Sequence, residues 1–85
     1  MNIAKIDMTS FAGGILSVNS HRNEKELDKY RKIDVDNIES VTSVCNQVMI
    51  YDKNNKECYY LDKKCKMQDV LTAINTAKNG INVIL

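Results

Sequence analysis

The chain has 85 residues, 44% of them hydrophobic and 27% charged, with a formal net charge of +1. That length supports one core, so residues 1–85 are read as a single domain, and the apolar content excludes a disordered chain. The apolar runs are too short to cross a bilayer, and the first residues lack the apolar stretch of a secretion signal, so a cytoplasmic protein with reduced thiols is expected.

Taken in chain order, residues 2–8 place Ala4, Ile6 and Met8 on one parity and Lys5 and Asp7 on the other. That alternation predicts a half-buried strand. Gly13-Gly14 then reads as a flexible bend, and Ile15, Leu16 and Val18 as a second strand that could form a hairpin with the first. Residues 20–34 are ambiguous. Asn23 with Glu26 three positions on has the form of a capping box, and opposite charges at Lys25/Asp28, Glu26/Lys29 and Asp28/Lys32 favour a short helix. The apolar stripe of Leu27, Tyr30 and Ile33 is thin, so a charged loop leading into a strand is the alternative.

Beyond Asp36, a stretch rich in Val, Thr and Ser, holding Ile38, Val41 and Val44, reads as a strand. Residues 47–51 and 57–61 read as two more, joined by a turn at Lys53-Asn54-Asn55-Lys56. Charge suggests the register. A two-residue loop would oppose Asp52 to Glu57 and Lys53 to Lys56, both like pairs. A three-residue loop would oppose Lys53 to Glu57, Tyr51 to Tyr59 and Met49 to Leu61. Favourable cross-strand pairs contribute about 0.2–1 kcal/mol each, which favours the second arrangement. Residues 67–78 carry Met67, Val70, Leu71, Ile74 and Ala77 at helical spacing, and Asn79-Gly80 supplies the stop. Residues 81–85 read as a terminal strand, which would be a sticky edge unless paired. The expected architecture is α+β: a small antiparallel sheet of about five strands, one C-terminal amphipathic helix packed on it, and a possible second short helix.

The chemistry-bearing residues are sparse. Cys45, Cys58 and Cys65 lack the paired spacing of a zinc site, and the single histidine, His21, is far from them in sequence. Neither a metal nor a cofactor is expected. Cys58 reads as a small buried hydrophobe. Cys65, between Lys64 and Lys66, is expected to be the more reactive thiol because cations favour thiolate. Asp34 and Asp36 could share a hydrated cation, but read more simply as a solvated turn. With no nucleophile–base pair in view, an enzyme is not expected.

Two features point to binding instead. The central hairpin is apolar on both faces, where a sheet with one wet face should alternate. On the charge-derived register Met49, Tyr51, Tyr59 and Leu61 form one partner-binding patch. The other feature is the basic cluster Lys63, Lys64 and Lys66, with Tyr59 and Tyr60 near it, which could hold nucleic acid. Residues 1–42 carry six basic and seven acidic side chains, and residues 43–85 six and four. That is too balanced for a dedicated duplex binder or a nucleic-acid mimic.

The leading expectation is therefore a non-enzymatic protein-binding module with a host protein or a second copy as partner. Lys, Asn and Ile, the residues of AT-rich codons, number ten, ten and nine. This bias suits an AT-rich genome, such as that of a phage or mobile element, and permits the sharper expectation of an inhibitor of a bacterial defence or regulatory protein, for which the near-neutral charge implies steric blocking. A nucleic-acid-associated regulator is the alternative.

Overall fold

The computed structural model describes residues 13–85. Six strands and one α-helix lie within them: β1 (Ile15–His21), β2 (Lys29–Asp34), β3 (Ile38–Val44), β4 (Gln47–Asp52), β5 (Glu57–Leu61), α1 (Met67–Ala77) and β6 (Val83–Ile84). The sheet runs β2-β1-β5-β4-β3, antiparallel throughout, and β6 adds to β1 as a parallel strand. The α+β class is as expected. The strand predicted over residues 2–8 and its hairpin lie outside the described residues. No described helix is long and apolar enough to cross a membrane.

β1 is the hub. Along one side it pairs with β2 from Ile15↔Asp34 to Ser20↔Lys29. Its other side is divided: Leu16 and Ser17 pair with β6, and Ser20 and His21 pair with Leu61 and Tyr60 of β5. Leu16, Val18 and Ser20 alternate into the core while Ile15, Ser17, Asn19 and His21 face the other way. The core adds Ile33, Val48, Ile50, Tyr59 and Leu61 from the sheet, Val35, and Val70, Ala73, Ile74 and Ala77 from α1.

α1 spans almost the predicted residues, with Lys78 as its C-cap rather than its last turn. Asn79 and Gly80 donate backbone bonds to Thr76 and Ala77, and Gly80 takes the left-handed conformation at φ 87°. Gly14 is needed for close approach rather than flexibility. Its N–H donates to the Ala77 carbonyl, and a side chain there would collide with the backbone of Ile81.

Residues 20–34 form the strand alternative, not a helix. Asn23 Oδ1 accepts from Lys25 N–H at 2.9 Å in a local turn, and Glu26 N–H donates to the Asn23 carbonyl. The Glu26 carboxylate is held by Arg22 at 3.1 Å and Arg31 at 3.0 Å, which closes the loop across the start of β2. Of the thin stripe, Leu27 and Tyr30 are exposed, and Ile33 alone enters the core, as a strand residue.

The register of the β4–β5 hairpin differs from the charge-based expectation. Asp52 opposes Glu57, Tyr51 opposes Cys58, Ile50 opposes Tyr59 and Met49 opposes Tyr60. Residues 53–56 form a four-residue turn in which Lys56 is left-handed at φ 59°. The like-charge pair is tolerated because Asp52 points into the protein, 5% exposed, and accepts from the N–H groups of Asn54 at 2.8 Å and Asn55 at 3.3 Å. Hydrogen bonds to a carboxylate contribute about 1.5–3 kcal/mol, more than the surface pair Lys53/Glu57 could.

Two measurements follow. Asp52→Ala leaves both turn N–H groups without their acceptor, and should lower unfolding free energy in urea by about 1–3 kcal/mol. Gly14→Ala should cost about 1–3 kcal/mol through overpacking against Ile81. Wild-type stability in either variant would contradict the corresponding contact.

Candidate functional site: the open face of the sheet

Among the described residues α1 packs on one face of the sheet, and the opposite face carries a half-buried band. Its centre is the row His21–Tyr60–Met49, each residue directly opposite the next across two strand pairs, with the exposed Thr42 beyond Met49 at the sheet edge. The adjacent row is Cys58–Tyr51, with the exposed Ser40 opposite Tyr51. The His21 and Tyr60 rings stack with centroids 5.5 Å apart and planes 13° from parallel. His21 Nδ1 lies 2.6 Å from Asp28 Oδ1, so the ring is fixed from its edge as well as its face. A cleft lined by His21, Arg22, Asn23, Glu24, Gln47 and Tyr60 borders this centre.

The register redistributes the predicted patch. Met49 and Tyr51 lie on the open face, half-buried. Tyr59 and Leu61 do not: they are 7% and 0% exposed, on the helix-covered side. The physical reason is the one-residue difference in register, which moves every β5 side chain to the other face. Cys58 and Tyr60 take their places opposite Tyr51 and Met49. Sequence reasoning also missed His21, which it weighed as a distant partner for the cysteines but which ends β1 in a stacked, hydrogen-bonded position. The odd-numbered parity of β1 was the available signal.

The basic cluster is real but separate. Lys63, Lys64 and Lys66 are all exposed in the turn between β5 and α1. That turn is built on Asp62, which accepts from Lys64 N–H at 2.9 Å and Asn19 Nδ2 at 3.3 Å. The Lys64 backbone bond, then the Asn19 hydrogen bond and the Lys64 charge, hold the Asp62 carboxyl below its ordinary range despite partial desolvation. Tyr59 cannot stack a base beside the cluster, because it is buried and its hydroxyl accepts from Asn55 Nδ2 at 2.9 Å. Tyr60 already stacks on His21.

The cysteines also differ from expectation. Cys65 packs against the core, and burial, followed by the charges of Asp62, Asp28 and Asp69, raises its thiol above the ordinary value. The flanking Lys side chains do not lower it. Cys58, half-buried rather than fully buried, is likewise raised by burial, offset in part by a hydrogen bond from Tyr60. Cys45 is exposed in the β3–β4 turn. Asp34 Oδ1 accepts from Asp36 N–H, and Asp36 Oδ2 from Gly13 N–H, so each of these carboxylates is engaged by backbone. No group of three His, Cys, Asp or Glu side chains among the described residues could hold a metal ion.

No protein-family model matches the chain, and neither a curated protein nor a solved structure is found to resemble it.

Alkylation with iodoacetamide near neutral pH should modify Cys45 well before Cys58 and Cys65, read by peptide mass spectrometry. Fastest modification at Cys65 would contradict its placement. Glu26, like Asp62, titrates below its ordinary value, chiefly through the Arg22 hydrogen bond. A depressed folded pKa contributes stability above the unfolded value and loses it as pH falls through the folded one. The melting temperature should thus fall on acidification below about pH 4, and less steeply in the Asp62→Asn/Glu26→Gln variant. An identical slope would remove these two groups from the acid response.

Proposed function

We propose that this chain is a non-enzymatic protein-binding module whose contact surface is the open face of the sheet. The observation that supports this most is the band of Met49, Tyr51, Cys58 and Tyr60, half-buried and directly paired across β4 and β5, on the face that α1 leaves uncovered. Aromatic and Met side chains are the residues enriched in interface cores, and they carry contact area with few rotatable bonds. Tyr60 is further pre-set by His21, so little side-chain freedom is lost when a partner covers it. Arg22, Glu24 and Gln47 stand at the edge of the same band, where a polar rim belongs.

The finer reading is an inhibitor, encoded by a phage or mobile element, that blocks a bacterial host protein by covering its surface. Near-neutral charge favours steric blocking over imitation of nucleic acid, and the Lys/Asn/Ile bias favours an AT-rich source. Lys63, Lys64 and Lys66 do not favour the nucleic-acid alternative. Three exposed cations offer few phosphate contacts, and the Tyr59 and Tyr60 rings expected beside them are taken up by the core and by His21; the exposed Tyr30, which shares a cleft with Lys64, is the aromatic ring left near them among the described residues.

The experiment is capture from bacterial lysate after nuclease treatment, comparing wild type with the Met49→Ser/Tyr51→Ser variant. The variant should melt close to wild type and lose the captured protein, with a drop in retention of at least about tenfold, equivalent to 1.4 kcal/mol. Undiminished capture by the folded variant would remove the open face from recognition. Capture that disappears with nuclease alone, together with steeply salt-dependent retention on heparin, would turn the assignment to nucleic acid.

A further inference from the structure

The sheet ends on two strands, and they are guarded differently. β2 carries Lys29, Arg31, Lys32 and Asp34 in six residues, the charge pattern that discourages edge pairing. β3 carries one charge, Glu39, and that residue lies at the bulge where its register with β4 shifts. The regular remainder, Ser40-Val41-Thr42-Ser43-Val44, is uncharged, rich in β-branched side chains and largely exposed. Among the described residues no strand pairs with its outer side.

The free backbone groups on that side can be named. β3 and β4 are joined by Cys45 and Asn46 at φ 51° and 64°, with Val44 opposite Gln47. This is a two-residue hairpin turn of the mirror-image type, which closes on a hydrogen-bonded pair. Counting back by twos, Thr42↔Met49 and Ser40↔Tyr51 are the other bonded pairs. Val41 and Ser43 therefore direct their N–H and C=O groups away from β4, and no described residue takes them up.

We infer that this edge pairs with the same edge of a second copy, antiparallel about a two-fold axis at Thr42. Thr42 then faces Thr42 of the second copy, Val41 faces Ser43, and Ser40 faces Val44. All the outward groups of Val41 and Ser43 are satisfied by one reciprocal set of bonds, and no like charges meet. Glu39 continues toward the second copy's β3–β4 turn, and in each copy Ser43 and Asn46 of that region share a cleft with Lys63 and Lys66. The one charge of the strand thus runs toward cations. β2 is less suited to this, since a two-fold axis at its middle sets Arg31 or Lys32 against a cation of the second copy. On the helix side, Leu71 is 43% exposed beside a groove that includes Ile38, Val41 and Ile74, and a strand added next to β3 extends the sheet beneath it. The paired sheets would also join the two open faces into one surface, but the pairing itself does not depend on what those faces bind.

Thr42 is exposed, so charge can be placed there without entering the core. Light scattering and sedimentation velocity of the full chain should give twice the 9.7 kDa chain mass for wild type. Thr42→Lys and Thr42→Glu should each be monomeric, because like charges then face across the axis. An equimolar mixture of the two should recover the doubled mass. Ser43→Pro, which removes an outward N–H while leaving the hairpin bonds in place, should also be monomeric. Circular dichroism and melting verify that each variant is folded. Wild type that stays monomeric to millimolar concentration would overturn the proposal. So would folded Thr42→Lys and Thr42→Glu variants that each retain the dimer mass. Neither result bears on the Met49/Tyr51 face, and loss of capture by that face leaves the mass prediction standing.

Discussion

The buried carboxylate of Asp52 is the constraint on which the rest of the arrangement depends. It sits at the end of β4, 5% exposed, and accepts from two successive N–H groups of the turn that follows. Holding those donors sets a four-residue turn and places Asp52 opposite Glu57. From that pair every later one is determined, because strand side chains alternate with period two. Had the register moved by one residue, Cys58 and Tyr60 would have joined Val48 and Ile50, and Tyr59 and Leu61 would have faced outward.

The division of faces follows from this register, and the chemistry follows from the division. Ile50, Tyr59, Val48 and Leu61 meet Val70, Ala73, Ile74 and Ala77 of α1 in one core. Among the described residues one helix of eleven residues covers one face of the sheet, and Met49, Tyr51, Cys58 and Tyr60 line the other. β1 links the halves: its first residues take β6 and its last take β5, so His21 arrives beside Tyr60 at the junction. The stacked pair is thus a consequence of sheet topology joined to local hydrogen bonding by Asp28.

Much of this order could be read from residue spacing. The helix at Met67–Ala77 was legible because five apolar residues recur at its period and Asn79-Gly80 ends it. The strands at Gln47–Asp52 and Glu57–Leu61 were legible from composition and the intervening turn. Their mutual register was not, since the backbone bonds to Asp52 that outweigh a surface charge pair leave no mark in residue spacing. Residues 20–34 misled in a similar way. Asn23 and Glu26 satisfy a helix-start pattern, yet here Asn23 makes a local turn and Glu26 binds two arginines. Of the candidate site, Met49 and Tyr51 share a face by parity alone, whereas Tyr60 and His21 join them only through three-dimensional pairing. The turn at Cys45-Asn46 gave no glycine signal, although both residues adopt the left-handed conformation that such a turn requires.

The register of β4 against β5 can be tested directly by cross-linking to the native thiol of Cys58. Directly opposed residues in an antiparallel pair have Cα atoms about 4.5–5.5 Å apart, within the range a disulfide spans. Tyr51→Cys places a thiol opposite Cys58 in the observed pairing. After mild oxidation, peptide mass spectrometry should find position 51 joined to position 58 within one chain. A free thiol at position 51, with Asp52→Cys instead forming the bond to Cys58, would show the strands paired one residue out of the register described and would contradict the assignment of both faces.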